Sequence, residues 1–132
     1  MKKFLFLSVA ILAFVLGSCS KESKLNRKLD GKWDVVTFSG ITPASVGITT
    51  FTIEFSKDKK GKGSYVSTSI SSFGTDTSTG TYELTDDTKM TMTETPTAGN
   101  TSTPDAITIN NYSKSDLTLS DSDGTVIVLK KK

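Results

Sequence analysis

The chain has 132 residues, with 16 Lys and Arg against 14 Asp and Glu, no histidine and one cysteine. Two of the bases are Lys2 and Lys3, so the rest is formally neutral and lacks the basic excess of a nucleic-acid binder. The missing histidine removes the commonest general base near neutral pH and the commonest metal ligand. With no internal disulfide, no carboxylate pair spaced as acid and base and no glycine-rich phosphate loop, the expectation is no enzyme, no metal and no cofactor.

Met1-Lys2-Lys3 is followed by an uncharged run of apolar and small residues over 4–17. That is the basic start and apolar stretch of an export signal, and it is shorter than the roughly 20 residues a membrane-spanning helix needs. Leu16-Gly17-Ser18-Cys19 closes it. This phrase resembles the lipobox of bacterial lipoproteins, with Leu16 three before the cysteine, two small residues next, and a thiol free to attack a diacylglycerol donor as the thiolate. The alternative is an ordinary secretory signal with an incidental cysteine. The resemblance implies that 1–18 is a signal peptide and that Cys19 becomes the first mature residue, carrying diacylglycerol and palmitate as a membrane anchor. Ser20 stands where aspartate retains many lipoproteins at the inner membrane, which implies the outer membrane, at its periplasmic face or on the cell surface. Ser20-Lys21-Glu22 is similar to a weak form of the surface-export tag of Bacteroidetes lipoproteins.

Residues 19–28 are short and polar and are expected to form a lipidated tether, leaving 29–132 as one domain. Threonine and serine are abundant there, and short alternating segments recur between turn residues. Strands are predicted over 32–38, 50–56, 64–70, 80–84, 90–95, 106–111, 116–120 and 125–130. Phe51, Ile53 and Phe55 alternate with polar residues, as do Met90 with Met92, Ile107 with Ile109, and Leu117 with Leu119. Each such strand has one dry and one wet face. Eight antiparallel strands that hide one face and leave no edge predict an all-β, eight-stranded up-and-down barrel; a two-sheet β-sandwich meets the same alternation.

In a meander, successive connections alternate between the two ends. Residues 39–49, 71–79 and 96–105 are then long loops at one end. The shorter 57–63, 85–89 and 112–115 lie at the other, with the chain's N-terminal entry and most loop lysines. Lys57, Lys59, Lys60 and Lys62 would form a basic hairpin on the membrane side, either a solvated tip or a contact to anionic headgroups. Asp121-Ser122-Asp123-Gly124 suits a tight turn better than a calcium loop, which needs more oxygen donors.

Gly31-Lys32-Trp33, with Leu29-Asp30 before it, resembles the opening of the small lipocalin-like lipoproteins of Bacteroidetes. Phe51 to Phe55, Gly80 to Leu84, Leu117-Thr118-Leu119 and Val126 to Lys130 extend the likeness over nearly the whole domain. It implies a lipocalin-like barrel with Trp33 plugging its base and a cavity among the long loops. The Thr-Asp-Tyr-like turn and the terminal arginine and helix of true lipocalins are absent, so no particular ligand follows. Phe38, Ile41, Val46 and Phe73 would be an apolar lip on that cavity or a cap on the core. Met90 and Met92 would line an adaptable pocket or fill the core. The expected partners are a membrane, through Cys19, and a small apolar or amphipathic molecule. The alternatives are a surface module for a protein or glycan partner, as in an inhibitor or adhesin, and a structural envelope lipoprotein.

Overall fold

A computed structural model describes residues 21–132; Cys19 and the leader lie outside the described residues. Helix α1 (Lys21–Leu29) precedes eight strands: β1 (Gly31–Phe38), β2 (Ile48–Lys57), β3 (Lys62–Ser71), β4 (Gly74–Leu84), β5 (Lys89–Glu94), β6 (Asp105–Tyr112), β7 (Asp116–Ser120) and β8 (Val126–Lys131). A single 3-10 turn, Pro43–Val46, lies between β1 and β2. The strands close in chain order into one barrel. Every neighbouring pair is antiparallel, including β1 with β8, from Trp33↔Lys131 to Phe38↔Ile127. That closing ladder excludes the two-sheet sandwich.

Two segments differ from the sequence-based expectation. Residues 71–79 form no long loop: β3 and β4 continue as a ladder out to Ser71↔Gly74, and the chain reverses at Ser72 and Phe73. Thr75, Thr77 and Thr79 suit a strand, but the intervening Asp76 and Ser78 give that strand no dry face to recognise. The expected tether also differs where it is described, because Lys21–Leu29 is helical. Its Leu25 and Leu29 are buried at 0% and 1% exposure. They stand four apart, on one face of a helix, within an otherwise charged segment.

Helix α1 and Trp33 together close the base, the end where the N-terminal segment enters. Trp33 is fully buried, and its indole Nε1–H donates to the Leu29 carbonyl at 2.8 Å, so the ring is satisfied as buried indoles require. The Lys131 ammonium lies 4.6 Å from the centre of that ring, a cation–π contact. Asn26, buried at 3% exposure, donates through Nδ2 to the Lys62 carbonyl at 3.1 Å and the Asp58 carbonyl at 3.4 Å. Its Oδ1 accepts from the Tyr82 hydroxyl. Burial, and secondarily the Asp30 charge, pushes the Tyr82 phenol up from 10.0 to about 12. The unfolded chain therefore releases this proton from about pH 10 while the folded chain holds it to about 12, so stability present below pH 10 falls as pH rises through that window. Phenolate absorbance followed with a thermal melt at each pH is expected to show Tyr82 as the last tyrosine to titrate, with melting falling over the same range.

The barrel wall holds a reciprocal device in the phrases Gly63-Ser64-Tyr65 and Gly80-Thr81-Tyr82. In the β3–β4 ladder Tyr65 faces Gly80 and Gly63 faces Tyr82, so each ring covers the other strand's glycine, as aromatics do to support a bare position. A Cβ on Gly80 would meet the Tyr65 ring at 2.7 Å and also the Thr93 carbonyl oxygen. Gly80→Ala is accordingly expected to cost about 1–3 kcal/mol by overpacking, read as a lowered denaturant midpoint.

Candidate functional site at the barrel mouth

The barrel interior changes character along its axis. Toward the base it is filled: Trp33, Phe55, Met90, Leu117 and Leu129 are each at or below 1% exposure, and Phe55 meets Tyr82 edge to face at 5.5 Å between centroids. Toward the opposite end, Phe38, Phe51, Met92, Ile107 and Ile127 are only partly buried and rest on that core. Phe38 and Phe51 pack edge to face at 6.0 Å. A β-bulge between Val35 and Thr37 keeps Phe38 on the inner face after Trp33 and Val35, because an extra residue restores the parity.

The facing wall is different. Inner positions alternate every second residue, so after Tyr65 the inner face of β3 carries Ser67 and Ser69. Ser67 lies opposite Ile53 on β2 and Ser69 opposite Phe51; across to β4 they meet Ser78 and Asp76. The mouth thus has an aromatic and aliphatic wall on β1, β2, β6 and β8 and a wall of small hydroxyl side chains on β3 and β4. Ser78 donates through Oγ to Glu94 Oε1 at 2.8 Å. Burial raises the Tyr65 phenol, the Glu94 charge adds to this, and a hydrogen bond with Ser78 opposes it. The hydroxyl therefore stays protonated at neutral pH, with Ser78 as its hydrogen-bond partner. Such groups can hold the polar end of a molecule by hydrogen bonds.

Beside this wall the barrel is open. β5 pairs with β4 from Met90 to Glu94, which lies opposite Gly80. Beyond that pair the one backbone bond among the described residues on that side of β4 runs from the Thr95 N–H to the Thr79 carbonyl at 2.7 Å. The β5–β6 loop follows, and its own residues, Glu94, Pro96, Asn100 and Ser102 among them, line a half-open pocket of about 520 Å³. Ser102 donates to the Glu94 carbonyl, fixing the loop to the end of β5.

The six residues singled out in the sequence separate in the structure. Phe38 and Met92 are in the partly buried shell, whereas Met90, at 1% exposure, belongs to the filled core. Ile41 pairs back onto Phe38 through an isolated bridge and is 43% exposed, and Val46 in the 3-10 turn is 54% exposed. Phe73 is neither cap nor lining: it is fully exposed at the tip of the β3–β4 hairpin. Sequence reasoning missed Phe51, Ile107, Ile127, Ser67, Ser69, Ser78 and Glu94 as mouth residues. The signal was present for the serines, since Tyr65-x-Ser67-x-Ser69 continues an inward row without its apolar character.

No protein-family model matches the chain, and no curated protein matches it. Solved structures similar to it include two barrels. A lipocalin-like protein from Bacteroides uniformis is 17% identical with a TM-score of 0.57, covering 80% of this chain and 99% of that one. A redesigned β-barrel is also 17% identical, with a TM-score of 0.52, covering 88% of this chain and 99% of that one. At these identities the likeness is one of fold: the chain forms a closed, eight-stranded, antiparallel up-and-down barrel like that of the lipocalin-like protein.

Proposed function

We propose that this is a lipid-anchored lipoprotein of the outer membrane, without enzymatic activity, whose barrel mouth binds one small amphipathic molecule. The observation that carries the binding half is the two-sided mouth above a filled base. Phe38, Phe51, Met92, Ile107 and Ile127 offer an apolar wall left partly exposed, and Ser67, Ser69, Ser78 and Glu94 face it with hydroxyl and carboxylate groups. Binding pockets are commonly apolar with a few placed polar groups. The anchoring half is supported by the apolar leader and the Leu16-Gly17-Ser18-Cys19 phrase. Native mass spectrometry of the protein extracted from its own envelope is expected to show one small molecule retained at one equivalent. A chain that is always empty contradicts the reading.

The fully exposed Phe73 favours a second reading, a surface module for a macromolecular partner. Its mark would be a reproducible crosslink on intact cells from the β3–β4 hairpin tip, lost in Phe73→Ser.

A further inference from the structure

Beyond its leader the chain is formally neutral and strongly polarised along the barrel. From residue 21 onward it has fourteen basic and fourteen acidic residues. The topology puts all fourteen bases in the base half: in α1, at the starts of β1 and β5, in the β2–β3 and β6–β7 turns, and at the end of β8. Nine acids share that half, giving it a formal charge of +5, while the mouth half holds Asp76, Glu94, Asp105, Asp121 and Asp123 with no base, giving −5. Lys62–Glu83, Lys130–Asp116 and Lys132–Asp34 pair at 3.7, 3.9 and 3.5 Å, neutralising part of the strand ends. Lys24, Lys57, Lys59, Lys60, Lys89 and Lys114 are exposed on α1 and the turns of the base.

The segment outside the described residues joins at this same end. Cys19 is two residues before the first residue of α1, and two extended residues reach about 7 Å. That is within one Debye length, about 8 Å at physiological ionic strength, so a surface that holds Cys19 feels the charges at the start of α1 and keeps the rest of the base close by. A molecule with no net charge gains little by approaching such a surface at random and gains by turning its positive end toward it.

We infer that the base of the barrel, through α1, the β2–β3 hairpin and the β6–β7 turn, docks on an anionic phospholipid surface, holding the acidic mouth away from it. This deepens the anchoring reading and rests on it for the position of the tether. The chain carries its own reporter, since Trp33 is its one tryptophan and lies in the base.

The mature protein is reconstituted into phosphatidylcholine vesicles with a nitroxide quencher on the headgroup, with or without about 30 mol% phosphatidylglycerol. Trp33 quenching is expected to be at least about two-fold stronger with the anionic lipid and to lose that excess in about 0.5 M salt. Lys24→Glu, Lys59→Glu and Lys114→Glu combined turn the base from +5 to −1 and are expected to abolish the excess; the salt titration of the unaltered chain is independent of how the variant folds. Equal quenching in both vesicles, or an excess that survives the three substitutions, overturns the inference. Intact mass of the same sample separates the two readings. A chain without lipid that still responds to phosphatidylglycerol removes the anchor and keeps the docking surface, whereas a lipidated chain that does not respond removes the docking surface and keeps the anchor.

Discussion

Trp33→Ala is expected to destabilise the fold by about 3–5 kcal/mol, the range for truncating a large buried aromatic. Domains of this kind are stable by only about 5–15 kcal/mol, so roughly a fifth or more of the total is at stake. Three contacts leave with the ring. The core loses its largest fully buried side chain, the Leu29 carbonyl loses its indole donor, and Lys131 loses the π face beneath its ammonium. Helix α1 depends on the first two, because Leu29 ends the helix and packs in the same cluster. Trp33→Phe should recover most of the packing and leave a deficit of about 1–3 kcal/mol for the unsatisfied carbonyl. Urea unfolding followed by circular dichroism checks both values. A Trp33→Ala chain as stable as the parent would remove Trp33 from the centre of the base.

Cys19→Ser is expected to have the largest effect on where the protein resides. Each buried methylene contributes about 0.8 kcal/mol to membrane binding, so two or three acyl chains hold the protein effectively permanently, and serine offers no thiolate to receive them. The unaltered chain is expected to start at Cys19, to carry the mass of its acyl groups and to fractionate with the outer membrane. The variant is expected to lack that mass and to be missing from that fraction. A mature wild-type chain of unmodified mass contradicts the anchor. The barrel itself should be unaffected, since residues 21–132 form the closed sheet and the plug.

The barrel was legible in the sequence because its dry face repeats at period two through Phe51, Ile53 and Phe55, Leu117 and Leu119, and Ile107 and Ile109. The predicted strand 116–120 coincides with β7. Legibility failed where alternation carries no hydrophobic contrast. The outer half of β4 presents Asp76 and Ser78 inward and threonines outward, so a strand there reads as a loop. Helix α1 failed for the opposite reason: two leucines four apart are too little period to distinguish a helix in a charged segment, and its stability comes from packing on a barrel that the local sequence does not describe. The mouth was half legible. Met92 followed from strand parity and Phe38 from its place beside a long loop, its inward turn being set by a bulge that parity does not foresee, but Phe73 and Met90 took opposite fates, fully exposed and fully buried, because hairpin length and depth along the barrel axis decided them.

The central claim is that the two-sided mouth above the filled base is a binding site, and the most direct test fills it. Titration of a fluorescent amphipathic probe with an uncharged hydroxyl head group is expected to saturate at one equivalent on the parent chain. In Ser69→Phe, which carries a ring into the mouth opposite Phe51, binding is expected to fall by at least about ten-fold, about 1.4 kcal/mol, without a lowered melting temperature. Equal binding by the two chains, or none by the parent, would contradict the account.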